Sequence, residues 1–156
     1  MLEKFRNDLD IGLKEKGFKL TDWSVVSGKK YTGFNIQFGE KEQNLNLRFE
    51  FDKLGFNYFF WGIAKKLDEY KNPTAWSDIN ILMTTEFYSG KSTPWWPWYS
   101  ECPNQDFDAD MRDWSISAKA WLMIKDGSLA AQIIELANRV YNAFELNNDL
   151  HLLCED

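Results

Sequence analysis

Leu45-Asn46-Leu47-Arg48-Phe49-Glu50-Phe51 decides the fold. Its apolar and polar residues alternate strictly. A period of two puts Leu45, Leu47, Phe49 and Phe51 on one face of a strand and Asn46, Arg48 and Glu50 on the other. Such a strand belongs to an antiparallel sheet with one face on a core and one face open to solvent or a partner. Arg48 and Glu50 point to the same open side. They read either as a solvated pair or as a charged patch that meets a ligand or partner.

The neighbouring sequence extends the sheet in both directions. Asp52-Lys53-Leu54-Gly55 is a hairpin-length connection, with glycine where a positive φ is needed. Phe56 to Ala64 follows, an almost unbroken apolar run that suits a strand covered on both faces. Upstream, Tyr31 to Gly39 alternates Phe34, Ile36 and Phe38 with Asn35 and Gln37, and Phe18 to Val26 forms a further strand. Short polar turns between the four strands predict an antiparallel meander.

Helices flank this sheet in sequence. Leu2, Phe5, Leu9 and Leu13 repeat at spacings of three and four, which predicts a helix over 2–16 closed by Gly17. Pro73-Thr74 opens a second helix carrying Trp76, Ile79, Leu82, Met83 and Phe87 and ending near Ser89-Gly90. Ser115 is placed to cap a short helix through Ile124, broken at Asp126-Gly127. Ser128 is placed to cap the last helix, with a stripe of Leu129, Ile133, Ala137, Val140, Tyr141 and Phe144. The expected architecture is α+β: an N-terminal helix, a four-stranded antiparallel meander, and three helices packed on one face. Residues 1–148 read as one domain and 149–156 as a C-terminal tail.

Between the second and third of these helices runs Pro94-Trp95-Trp96-Pro97-Trp98-Tyr99, with Arg112-Asp113-Trp114 further on. Four of the eight tryptophans lie from Trp95 to Trp114. The prolines argue against a helix interior or a central strand, so the segment is expected to cross the surface as an extended strap. Trp95, Trp96, Trp98 and Trp114 then pin it to the core, because large rings offset the entropy of ordering it. Two other readings use the strap for recognition. Trp and Tyr with Arg112 are the residue types of protein hot spots, and rings beside Arg112 or Arg48 suit a stacked base. The candidate binding residues are therefore Trp96, Trp98, Tyr99, Arg48, Glu50 and Arg112.

Composition bounds the chemistry. The 156 residues carry a net charge of −6, which weighs against a surface devoted to nucleic-acid backbone and favours a basic partner. Cys102 and Cys154 have no metal spacing and read as free thiols in a reducing, cytoplasmic setting. The single histidine, His151, lies in the tail, so no histidine-based triad or zinc site is expected. Asp106, Asp108 and Asp110 alternate like part of a calcium loop but lack its glycine and distal glutamate, so they read as a solvated acidic loop. There is no glycine-rich phosphate loop, and no cofactor or metal is expected. The N-terminus lacks an apolar signal-peptide region, and no apolar run suits a membrane span.

The order of several short pieces carries a resemblance. Leu45 to Ile63, ending in Phe60-Trp61-Gly62-Ile63, is followed by Trp95-Trp96-Pro97-Trp98, Arg112-Asp113-Trp114 and Ile124-Lys125-Asp126-Gly127-Ser128 before a final helix. Over roughly Tyr31 to Phe144 this resembles the C-terminal accessory region of bacterial and phage PD-(D/E)XK nuclease-like proteins. Catalysis in that superfamily would require an Asp and an acidic-x-Lys triplet holding a divalent metal. Here the triplet is Glu69-Tyr70-Lys71, with Asp52 upstream, and it falls in a connection instead of a buried strand. The resemblance thus implies an accessory domain without its nuclease core, and a role in conflict between phages and bacteria as a defence accessory, an immunity protein or an anti-defence protein.

Together these readings favour a non-catalytic module that binds another protein, one with a basic surface such as the cleft of a nucleic-acid enzyme. Nucleotide or single-stranded nucleic-acid binding through stacked tryptophans is the first alternative. A degenerate metal-dependent nuclease is the second.

Overall fold

The structure, a computed structural model, describes residues 1–66 and 73–154. Glu69-Tyr70-Lys71 lies outside the described residues. Six strands form one antiparallel sheet: β1 Phe18–Thr21, β2 Thr32–Phe38, β3 Leu45–Lys53, β4 Asn57–Lys65, β5 Lys91–Thr93 and β6 Trp96–Glu101. Their order is β1-β2-β3-β4-β6-β5. The helices are α1 Leu2–Glu15, α2 Pro73–Glu86, α3 Lys119–Asp126 and α4 Ser128–Leu146. The fold is α+β, as the alternation in β3 implies, but with six strands instead of four.

The inward face of the sheet is aromatic and continuous. Antiparallel register sets Phe34 opposite Phe49 and Phe49 opposite Trp61. Trp23, Phe34, Phe49 and Trp61 stack in sequence with interplanar angles of 21°, 17° and 18°. The ladder ends on Trp98, whose ring meets Trp61 edge-on at 5.0 Å. Offset-stacked and edge-to-face contacts are the favoured arrangements for ring quadrupoles. The helices cover this face with Phe5, Leu9 and Leu13 of α1, Ala75, Ile79, Leu82 and Met83 of α2, and the stripe of α4 from Leu129 to Phe144. Helical spacing predicts most of these positions, but Ala75 is an addition, the expected Leu2, Trp76, Phe87 and Tyr141 are only half-buried, and Phe87 lies beyond the end of α2.

Several local expectations are revised. The first strand stops at Thr21, because Asp22 takes a positive φ of 52°. The expected strap is a β-hairpin, β5–β6, and β6 is paired on both sides. Its proline is accommodated by a bulge: Lys91 pairs with Tyr99 and Thr93 with Trp96, so three steps along β6 face two along β5. Pro97 falls in the extra step, where no ladder N–H is demanded. Its carbonyl accepts a hydrogen bond from Asn80 Nδ2 of α2 at 2.9 Å. Ser115 caps no helix; its hydroxyl and amide both donate to Asp113 Oδ1. α3 starts later, at Lys119, and ends at Gly127 with φ 83°, which breaks the chain between α3 and α4 as expected. Gly127, not Ser128, is the N-cap of α4. The tail forms a 3-10 helix, Leu150–Leu153, whose Leu152 and Leu153 join the main core. Among the described residues no helix is long and apolar enough to cross a membrane.

Candidate ligand-binding cleft on the open sheet face

The open face of the sheet is built by register alone. One cross-strand row runs Asn35, Arg48, Gly62, Tyr99, Lys91 from β2 to β5. The next runs Gly33, Glu50, Phe60, Glu101. Gly62 is required here: a Cβ would lie 2.3 Å from the Trp98 carbonyl oxygen and 2.6 Å from Tyr99 Cα. The missing side chain lets the backbone of β6 approach β4 closely.

The bulge at Pro97 completes the site. Without the extra residue Trp96 and Trp98 would share a face. With it, Trp98 enters the core while Trp96 joins Phe60, Ala64 and Tyr99 in a small separate cluster on the open side. Trp96 lies 4.9 Å from Phe60 and 6.0 Å from Tyr99, centroid to centroid. This cluster covers the outer face of β4, which explains why that strand reads as buried on both sides.

The result is a half-open cleft of about 590 Å³ between the hairpin and the sheet. Its walls are Tyr31, Tyr58, Phe60, Trp95, Trp96 and Tyr99, and Arg48, Glu50, Asp52, Lys65 and Glu101 supply its charges. The volume is that of a small-ligand site.

The floor is a polar chain that runs from the buried Glu50 through Arg48 and the buried Asn35 to the exposed Asp22. Arg48 Nε donates to Glu50 Oε2 at 2.6 Å, and its NH1 donates to Asn35 Oδ1 at 2.9 Å. Asn35 Nδ2 in turn donates to Asp22 Oδ2 at 2.9 Å. The Arg48 and Glu50 side chains are 15% and 10% exposed. Burial pushes the Glu50 carboxyl above its ordinary range, although the Arg48 guanidinium pulls the other way. Glu50 Oε1 accepts no hydrogen bond among the described residues. At the mouth, Lys65 Nζ lies 4.0 Å over the half-exposed Trp95 ring. Lys53 and Arg112 stack on Tyr58 at 5.0 and 4.2 Å. Lys91 is salt-bridged to Glu101 at 3.2 Å.

Part of the backbone irregularity falls at the same place, while the positive-φ Phe56 packs on the main core. Asp22, Tyr31 and Tyr58 have φ of 52°, 56° and 66°. A bulky side chain at positive φ is a genuine outlier, held only where its surroundings over-determine it.

Of the candidates drawn from sequence, Arg48, Glu50, Trp96 and Tyr99 meet in the cleft. Arg112 reaches its edge through Tyr58. Trp98 does not belong to it: the ring is fully buried on the opposite face, and its Nε1 donates to the Tyr88 carbonyl at 3.2 Å. Trp114 is also core, 2% exposed. Sequence reading did not select Tyr31, Asp52, Tyr58, Phe60, Lys65, Trp95 or Glu101 for this site. The apolar run of β4 hides Tyr58 and Phe60, and Glu101 requires the β4–β6 pairing.

The acidic loop is divided among structural tasks. Asp106 accepts hydrogen bonds from Tyr88 Oη and Arg139 NH1, both at 2.7 Å, and Asp108 caps a 3-10 turn and pairs with Lys119. Burial pushes the Cys102 thiol up to about 12, which makes it an inert core thiol. Comparison with protein-family models, with curated protein sequences and with solved structures finds no match to this chain.

Proposed function

We propose that this protein binds a nucleotide unit, either free or at the end of a single strand, in the cleft on the open face of its sheet. The observation that carries the reading is the gathering of stacking rings and cationic side chains at one cleft of an acidic chain. The chain is acidic overall, at −6. Among the described residues, six rings line the cleft with two cations, Arg48 and Lys65, and three carboxylates, Glu50, Asp52 and Glu101; Lys53 and Arg112 stack on its Tyr58 wall, and Lys91 pairs with Glu101 at its rim. Rings for stacking beside cations for phosphate are what single-stranded nucleic-acid sites combine.

A basic protein partner, favoured by net charge alone, would find Glu50 and Glu101 at this face already paired with Arg48 and Lys91. That weighs against docking such a partner here. The resemblance to an accessory region of nuclease-like proteins belongs to the same proposal. It would make the chain a stand-alone recognition module in phage–bacterium conflict.

Titration of tryptophan fluorescence at low salt tests the reading, with mononucleotides in one arm and short single-stranded oligonucleotides in the other. Quenching that saturates, weakens with salt, and loses roughly five- to hundred-fold in affinity in Trp95→Ala is expected, since stacking is worth about 1–3 kcal/mol per base. An oligonucleotide that binds far more tightly than its mononucleotide marks the strand as the ligand. A flat response in both arms overturns the proposal.

A further inference from the structure

Resting on that reading, we infer that the cleft selects guanine, through Glu50 and Arg48 acting on one edge of the stacked base. The argument begins with an unused acceptor. Glu50 is nine-tenths buried and lines the cleft. One of its oxygens, Oε2, is engaged by Arg48 Nε, whereas Oε1 accepts nothing among the described residues. A carboxylate offers about four lone-pair sites, and a buried one left partly unmatched in a binding cleft favours a ligand that brings N–H donors.

The nucleobases differ in what they can bring. Guanine presents two adjacent donors, N1–H and the 2-amino group, beside the O6 acceptor. Adenine and cytosine present one amino donor next to a ring nitrogen whose lone pair would face the carboxylate. Uracil and thymine present one N–H between two carbonyls. Only guanine therefore gives a carboxylate two attractive partners without a repulsive one.

Arg48 supplies the complement. Its Nε, NH1 and NH2 each donate one bond within the protein, to Glu50, Asn35 and the Tyr31 carbonyl. A guanidinium has five N–H donors, so one on NH1 and one on NH2 remain to meet O6. Asn35 is locked as acceptor toward Arg48 by its own donation to Asp22, which holds the guanidinium in place. Tyr99, Phe60 and Trp96 line the cleft beside this pair.

The experiment measures dissociation constants for GMP, IMP, AMP and UMP with the wild-type protein and with Glu50→Gln. IMP is guanine's ring system without the 2-amino group, so it removes one donor and changes nothing else. GMP is expected to bind tightest, with AMP and UMP roughly tenfold or more weaker, the scale of a good bidentate base contact. IMP falls between them. Glu50→Gln is expected to flatten the ranking while the nucleotides still quench tryptophan fluorescence. Equal binding of all four, or a ranking unchanged in Glu50→Gln, overturns guanine selection and leaves nucleotide binding standing. The IMP comparison needs no variant, so it decides the matter even if Glu50→Gln does not fold. Absence of binding by every nucleotide and oligonucleotide overturns both proposals.

Discussion

Replacing Trp98 and replacing Trp95 should give opposite results, although the two lie three residues apart in the same tryptophan-rich run. Trp98 is fully buried, touches Trp61 edge-on at 5.0 Å, and donates its indole N–H to the Tyr88 carbonyl. Trp98→Ala deletes a ring from a close-packed core, which costs about 3–5 kcal/mol. It also strips the Tyr88 carbonyl of a partner, for about 1 kcal/mol more. A loss of about 4–6 kcal/mol is a large part of the roughly 5–15 kcal/mol that holds a domain together. With a urea slope of about 2 kcal/mol/M, the midpoint should fall by about 2–3 M. Trp98→Phe keeps most of the ring and should fall about 1 M, so the series stays readable if the alanine variant does not fold. Trp95 is 50% exposed, and its ring contact is the Lys65 ammonium. Trp95→Ala should cost no more than about 1 kcal/mol, or roughly 0.5 M. Urea unfolding followed by far-UV circular dichroism measures all three. A Trp98→Ala midpoint within 0.5 M (roughly one such exposed contact) of wild type, or a larger loss in Trp95→Ala, would refute the placement of Trp98 in the core and Trp95 at the mouth of the cleft.

Three further results are expected. Asp106→Ala removes the acceptor shared by Tyr88 Oη and Arg139 on a side chain only 11% exposed, and should cost about 2–3 kcal/mol; Asp106→Asn, which keeps one of the two acceptors, should lose less. A cost under about 0.5 kcal/mol by urea unfolding would mean that this pairing contributes nothing net. Gly62→Ala forces a methyl against the β6 backbone and should cost about 1–3 kcal/mol while raising amide exchange along β6 more than along β2. Uniform exchange would place the strain elsewhere. Glu50 contributes with the sign of a raised carboxyl: the folded chain holds its proton where the unfolded chain has released it. Its contribution is complete below the ordinary value of 4.5 and declines as pH rises through the folded pKa. Glu50→Gln abolishes that decline, so the variant's urea midpoint should gain on wild type between pH 4 and pH 7. A constant difference across that range contradicts the burial argument.

The core was legible in the sequence wherever periodicity was clean. Leu45 to Phe51 fixed the inward and outward faces of β3, and the stripes of α1 and α4 named their own buried residues. What escaped was set by pairing over long distances. Pro97 argued against a central strand, and that inference is sound for a regular ladder. It failed because a bulge removes the demand for the proline N–H, and nothing local in Pro94 to Tyr99 announces a bulge. The same bulge reverses the face of Trp98 relative to Trp96, so a period-two reading could not separate the core ring from the cleft ring. Arg48 and Glu50 were identifiable because alternation alone put them on the open side. Tyr58 and Phe60 were not, because an apolar run looks the same whether its outer face meets a helix layer or a neighbouring tryptophan.

Where the irregularities fall is itself an argument about function. The inward face of the sheet follows regular register from Phe34 through Phe49 and Trp61. Several exceptions fall on the open face: the extra residue at Pro97, the side-chain-free Gly62, and the left-handed Tyr31 and Tyr58, while the left-handed Phe56 packs on the main core. A tyrosine held at positive φ costs about 1–3 kcal/mol. Core packing does not require that expense, since both tyrosines lie outside the main core and line the cleft. The buried Arg48–Glu50 pair follows the same logic, because a well-packed apolar pair of similar size would usually be as stable or more so. A sheet that needed only to carry its helices could have a flat, regular, solvated outer face. This one departs from regularity in ways that turn six aromatic rings and an ion pair toward one cleft, and that is the pattern expected where stability has been given up for recognition.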